Sequence, residues 1–120
     1  MNWWGVALGG AGGTLLRAMM LRWLGPMMGP YATLGINALG SLAIGLLWGY
    51  LLSRQHSSML LWNALGVGLL GGFTTYSSHS LDVLRLLQAG KFSSALLYAL
   101  GTLVLSLAAC ALGLWWTRST

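Results

Sequence analysis

The chain has 120 residues, 57% of them hydrophobic and only 6% charged, with six Lys and Arg side chains against a single carboxylate, Asp82. A soluble domain carries about 25% charged residues to satisfy water, so this composition excludes an ordinary soluble fold and points to lipid as the solvent. At roughly 20 apolar residues per crossing of a hydrocarbon core about 30 Å thick, the length accommodates four spans and very little else.

The first span is expected over residues 3–24, stopped by Gly25-Pro26 and Gly29-Pro30, because proline and glycine end helices. It has no basic flank ahead of it and is followed by further apolar runs, so it reads as a retained helix rather than a cleaved leader. A second span covers 31–52. The stretch 54–58, with Arg54, Gln55 and His56, is the most polar in the chain and reads as an exposed loop. A third span starts at Met59 and is interrupted after Leu70 by a glycine, threonine and serine run over 71–80, resuming at Leu81. Unwound backbone at membrane depth is tolerated only where it is buried in protein or faces a water-filled cavity, so this interruption should line something. The fourth span covers 92–116.

Orientation follows the Lys and Arg content of the cytoplasmic side, and here it is nearly balanced. With four spans, Arg54 and Arg118 fall on one side and Arg22 and Lys91 on the other, with Arg85 tilting the count slightly. Such a chain can insert both ways up and pair with an inverted copy of itself, which is dual topology. Gly5, Gly9 and Gly13 are spaced by four, as are Gly45 and Gly49, and Gly68 and Gly72. Small residues at this spacing let helix backbones approach closely in lipid, either within one subunit or between two.

Two rows of hydrogen-bonding residues need a reason. Thr33, Asn37 and Ser41 recur every four residues on the second span, and Tyr98, Thr102 and Ser106 do so on the fourth, so each set stacks on one helix face. A lone Ser or Thr in a membrane helix usually bonds its own backbone. Two parallel rows, one holding an amide with two donors, read as a polar track through the membrane. Arg17 lies within the first span, where an Arg costs roughly 2.5 to 3.5 kcal/mol on insertion scales; it either snorkels to the interface or takes a structural or ion-attracting role. Asp82 stands three residues before Arg85 and is expected to form a helix-surface ion pair with it. Tyr76 and His79 lie three apart and face similar directions, with His79 either a structural hydrogen-bonding residue or a proton switch. The seven Trp residues, such as Trp3, Trp4, Trp115 and Trp116, cluster near span ends as interfacial anchors.

No catalytic constellation is present. There is no carboxylate pair, no acid behind a His, no phosphate-binding loop, and no Cys and His set at metal-site spacing around the single Cys110, so the chain does not read as an enzyme. Its positive charges are dispersed rather than gathered into a nucleic-acid patch. A small multidrug transporter would share the length, four spans and dual topology, but such transporters carry an essential Glu in the first span, and this chain contains no Glu.

These residues resemble the Fluc (CrcB) fluoride channels of bacteria. Gly9-Gly10-Ala11-Gly12-Gly13-Thr14-Leu15-Leu16-Arg17 is similar to the first-span motif of that family. Thr33-Leu34-Gly35-Ile36-Asn37-Ala38-Leu39-Gly40-Ser41 is similar to its second-span motif, and Gly71-Gly72-Phe73-Thr74-Thr75-Tyr76-Ser77-Ser78 to its third-span signature. Tyr98, Thr102 and Ser106 match its fourth-span polar positions. Four motifs in order cover nearly the whole chain.

The resemblance implies an all-α membrane protein of four transmembrane helices, the third broken, forming a single channel domain over 1–120. It implies an antiparallel, dual-topology homodimer in the bacterial inner membrane that lets fluoride leave the cytoplasm passively. Asn37, Ser41, Tyr76, His79, Tyr98, Thr102 and Ser106 would line the fluoride pore, and Arg17 would serve structure or electrostatics. A structural Na⁺ would sit at the dimer axis on backbone carbonyls of Gly71 and Thr74, hard oxygens suited to a hard cation. One departure stands out: where the family carries two Phe residues whose ring edges face the anion, this chain has Tyr76 and His79. Either substitution can supply donors to fluoride, or can bind it too tightly for conduction, which requires sites weak enough to leave. The same departure allows the chain to be one subunit of an obligate heterodimer with one degenerate pore.

Overall fold

The computed structural model describes residues 1–53 and 59–118; the polar stretch expected at 54–58 and the last two residues lie outside them. The described residues are helical apart from short connections, with no strand among them. Helix α1 (Trp3–Met28) starts at Asn2, whose side chain accepts from the Gly5 N–H at 2.9 Å and satisfies one of the donors that a helix start leaves free. The stop expected at Gly25-Pro26 does not occur: α1 runs through Pro26 and ends at Gly29, where φ is +59°. A proline this close to a helix end removes one main-chain bond, whereas a left-handed residue terminates the helix, and glycine adopts that conformation without strain.

Helix α2 (Tyr31–Ser53) follows directly. Next come α3 (Met59–Leu61), a π-helical stretch π1 (Trp62–Leu70), and α4 (Gly71–Phe73). The Gly71 N–H reaches Gly66 O as well as Gly68 O, the former being the five-residue bond that widens a turn. The polar run 71–80, expected to interrupt the third span between two half-helices, is mostly helical. Only Thr74 (φ −87°, ψ 156°) and Thr75 (φ −149°, ψ 124°) are extended, and α5 (Tyr76–Gln88) begins at the next residue. Helix α6 (Phe92–Arg118) completes the described chain.

Two helix pairs form the body: α2 packs along α6, and α1 packs along π1 and α4. Glycines make both approaches possible. A Cβ on Gly9 would meet Ala64 O, one on Gly13 would meet Leu69 O, and one on Gly72 would lie 2.6 Å from Gly10 O. In the other pair Gly45 faces Cys110 O, Gly49 faces Leu114 O, and Gly113 faces Leu42 O. Of the two uses open to the glycine rows, Gly9, Gly13, Gly45, Gly49 and Gly72 serve packing inside one chain.

The apolar side chains point outward. On α6, Leu96, Leu97, Leu103, Val104 and Leu107 are all exposed, and only 17% of that helix's most apolar stretch is buried. A core helix of a soluble protein would be mostly buried, whereas this helix leaves its apolar side chains exposed, as a membrane helix does. Helices α2 and α6 are each long and apolar enough to cross a bilayer. The longest dimension, 49 Å, compares with about 40–45 Å of bilayer including headgroups. Trp3, Trp4, Trp23, Trp115 and Trp116 are exposed near helix ends, as interfacial anchoring requires. The chain is an all-helical membrane protein. Helix α1 has the length of a span at 26 residues, but its glycines, Arg17 and Arg22 make it less apolar than α2 and α6.

Asn63, in π1, is 0% exposed, and neither its Nδ2 nor its Oδ1 has a hydrogen-bond partner among the described residues. An unpaired buried polar group costs about 1–3 kcal/mol, and replacement by an apolar group of the same shape removes that penalty. Asn63→Leu is therefore expected to raise the melting temperature in detergent, by an amount reflecting roughly 1–3 kcal/mol. A lowered melting temperature would show that the amide makes bonds the helices depend on.

Candidate functional site

The site grows from the two extended residues. A Cβ on Gly40 would meet Thr74 Cγ2 and come 3.4 Å from the Phe73 ring, so glycine at this position lets α2 approach the Thr74 step closely. Asn37, three residues earlier on α2, reaches the same step. Its Nδ2 donates to Thr75 O at 2.9 Å, and the Thr75 N–H donates to its Oδ1 at 2.8 Å. This reciprocal pair replaces main-chain bonds that the helix no longer supplies, since buried backbone groups must be paired. Thr75 in turn caps α5, its Oγ1 accepting from the Ser78 N–H at 3.2 Å, as Thr does at helix starts.

The redirection of the Thr75 N–H has a second effect. In a continued α-helix that group would donate to Gly71 O; here it goes to Asn37 instead. Gly71 is itself exposed. Thr74 O accepts from Arg17 Nη1 at 3.4 Å, and Thr74 Oγ1 donates to Leu70 O at 3.0 Å. Arg17 is thus half-buried and tied to the backbone of the extended step.

Beside this step lies a groove of about 500 Å³. Asn37 and Ser41 of α2, Thr74 and Thr75, Tyr76 and His79 of α5, and Thr102 and Ser106 of α6 all line it. Two members of each polar row read from the sequence therefore face one space, while Thr33 and Tyr98 do not line it. Three of its polar atoms, His79 Nδ1, Thr102 Oγ1 and Ser106 Oγ, are buried and have no hydrogen-bond partner among the described residues. Groups in that state are ready to bind something. Among the described residues no Lys, Arg, Asp or Glu lines the groove, and the first turn of α5, the partly positive end of a helix, opens onto it at Tyr76. The arrangement brings hydroxyls, an amide and an imidazole to one groove.

Tyr98 differs from its row-mates. It is 1% exposed and does not line the groove. Its ring lies edge-on to Tyr31, with centroids 6.0 Å apart, and 4.9 Å from the His79 ring, while its hydroxyl donates to Asp82 Oδ2 at 3.0 Å. This overturns the expected Asp82–Arg85 ion pair: Asp82 makes no such pair among the described residues and takes a hydroxyl from α6 instead. Spacing along α5 places Arg85 near Asp82, but it does not reveal which helix packs opposite. The sequence reading also missed Thr75, both as the partner of Asn37 and as the cap of α5. Its signal was available, a Thr directly ahead of a restarted helix.

A protein-family comparison matches residues 4–114 to the model described as CrcB-like protein, Camphor Resistance (CrcB). A relative from Thermus thermophilus, named "Fluoride-specific ion channel FluC", is 48% identical over 111 residues, covering 90% of this chain and 87% of its own length. Relatives of the same name from Erythrobacter litoralis and Phenylobacterium zucineum are 43% identical over 121 residues and 42% identical over 114 residues. They cover 94% and 91% of this chain, and each is matched over 89% of its own length.

Proposed function

The chain belongs to the CrcB-like family, and from that membership we propose that it is a fluoride-specific channel giving the anion a passive exit from the bacterial cytoplasm across the inner membrane. It is a channel protein and not an enzyme. The observation that carries the reading is the set of unpartnered buried atoms, His79 Nδ1, Thr102 Oγ1 and Ser106 Oγ, lining one groove with Asn37 and Ser41. Fluoride is small and tightly hydrated, so it enters a narrow path only where donors replace its water. Hydroxyls and a half-helix terminus supply partial positive charge, and the lack of a lining cation keeps each contact weak enough for the ion to move on. Hydrogen fluoride enters cells as a neutral acid and dissociates inside, and a conductive path releases the trapped anion without an energy source.

The reading includes four spans: α1, α2, a third formed by α3 to α5 and interrupted at Thr74-Thr75, and α6. Two chains pair antiparallel, in keeping with the near balance of Lys and Arg between the two ends. A structural Na⁺ belongs between them, held by Gly71 O and Thr74 O. The donor chemistry fits: both are hard carbonyl oxygens, Gly71 O lacks its helical donor because Thr75 N–H goes to Asn37, and Thr74 O keeps a second lone pair beside the Arg17 contact. The ion would neutralise carbonyls left unpaired at the break; the anion path itself is built from side chains.

The purified chain alone in sealed liposomes is expected to release fluoride, and not chloride, down a gradient. Tyr76 and His79, set where the family has Phe, favour one second reading: a subunit that conducts only beside a paralogous partner. Assembled protein that releases no fluoride by itself would overturn the homodimeric channel in favour of that reading.

A further inference from the structure

Four helix ends meet at one end of the molecule: α1 stops at Gly29, α2 starts at Tyr31, α5 stops after Gln88 and α6 starts at Phe92. A second cavity, of about 450 Å³, lies among them. Because α1 packs on π1 and α4 whereas α5 packs on α6, a gap is left between α1 and α5, with Leu21 and Gly25 on one wall and Asp82 and Arg85 on the other. A methyl group on Gly25 would meet nothing within 4 Å. Lys91 completes the rim. Gly90, at φ +76°, lets the Lys91 N–H donate to Leu86 O at 2.9 Å and its own N–H donate to Leu87 O at 3.0 Å, the paired closure that turns the chain back at a helix terminus. Lys91 is thereby brought onto the cavity that Arg85, in the last turn of α5, already lines.

Partial charges from the helix ends cancel here, two C-termini against two N-termini, so the full charges decide. Arg85 and Lys91 stand against Asp82, two cations to one carboxylate. Both cations are exposed and neither pairs with Asp82 among the described residues; Asp82 Oδ2 accepts from Tyr98, which leaves Oδ1 for another donor. Trp23 and Tyr31 are exposed at the same end, the level at which such rings meet lipid headgroups. Toward the middle of the membrane, α5 exposes Leu81 and Leu84, an apolar surface for acyl chains.

We propose that this cavity binds the headgroup of an anionic phospholipid, phosphatidylglycerol, with its phosphodiester on Arg85 and Lys91 and its glycerol hydroxyls donating to Asp82. One phosphodiester charge neutralises the surplus cation, and the guanidinium fork matches two phosphate oxygens. A carboxylate only accepts, so it calls for hydroxyl donors beside the phosphate. An ethanolamine headgroup is neutral overall and leaves the cavity charged, while free phosphate covers none of the leucines. Basic pockets between membrane helices hold anionic headgroups in this way. The inference needs only the membrane location of the chain, so it stands or falls separately from fluoride conduction.

The test is thermal unfolding of the full chain in a neutral detergent, titrated with phosphatidylglycerol. Tm is expected to rise by about 5 °C at saturation, and much less with phosphatidylethanolamine or phosphatidylcholine; equal rises with all three overturn the inference. Arg85→Gln and Lys91→Gln should each raise the half-effective lipid concentration roughly tenfold, as loss of one charge-assisted hydrogen bond does. Arg22, an exposed cation at the same end, does not line the cavity, so Arg22→Gln should titrate like the parent. A weakening equal to that of Arg85→Gln would trace the effect to surface charge at large and overturn the site. Inorganic phosphate at matched concentration should leave Tm unchanged, and a rise equal to that of the lipid would identify a free-ion site instead. Should the variants fail to assemble, the delipidated parent is offered equal amounts of phosphatidylglycerol and phosphatidylethanolamine. Native mass spectrometry is then expected to show phosphatidylglycerol retained in preference, and equal retention of the two overturns the inference.

Discussion

Asn37→Asp is expected to reduce fluoride efflux at least about a hundredfold, the consequence of converting a satisfied clamp into a charged and unsatisfied one. The amide makes two bonds of opposite sense, donating to Thr75 O and accepting from Thr75 N–H. A carboxylate can keep the second only. It sets an oxygen against the Thr75 carbonyl where a donor lay 2.9 Å away, and it brings a full negative charge to a groove that otherwise has none on its walls. Each effect opposes an anion, and the unpaired carbonyl adds a penalty of about 1–3 kcal/mol to the folded state. Asn37→Ala separates the two contributions, because it removes the clamp without the charge and should lower thermal stability while blocking less completely. Efflux from Asn37→Asp equal to that of the parent would remove this residue from the ion path.

Gly13→Ala is expected to be the most damaging single methyl group in the chain. Its Cβ would meet Leu69 O, and would also lie 2.8 Å from Leu69 C and 2.9 Å from Phe73 N. All three are backbone atoms, which cannot rotate away as a side chain can, so α1 must move off π1 and α4 as a unit. Overpacking typically costs about 1–3 kcal/mol and sometimes more, and here a displaced α1 also carries Arg17, one turn further along the same face, away from Thr74 O. The expected result is a lower melting temperature together with a loss of fluoride efflux. Gly25→Ala is the control, since nothing lies within 4 Å of its added methyl and alanine is the better helix former. Parent-like melting and efflux for Gly13→Ala would mean that α1 does not depend on this contact.

Much of the site was legible in the sequence because its signals are local and periodic. The four-residue recurrence of Asn37 and Ser41, and of Thr102 and Ser106, requires each pair to share a helix face, and those faces meet at one groove. The spans at 31–52 and 92–116 differ from α2 and α6 by only one or two residues at their ends. What the sequence could not carry was the identity of partners across helices. Asp82 reads as the neighbour of Arg85 along α5, yet its hydrogen bond goes to Tyr98 on α6. The glycine rows show the same gap: spacing announces close approach but not the surface approached, and only the backbone atoms facing Gly9, Gly13 and Gly45 reveal that it belongs to the same chain. Pro26 marks a further limit, since a residue that can break a helix need not do so where few main-chain bonds depend on it.

The extended pair Thr74-Thr75 turns what would be one rod into two opposed poles at a single depth. The last carbonyls of α4 and the first amides of α5 are left facing different neighbours, one end electronegative and the other electropositive. A lipid-embedded chain with one acidic side chain thereby presents both signs of partial charge side by side, using only its peptide groups. Any change that let the helix wind straight through would erase both poles together, so neither can be altered independently by reshaping the backbone there.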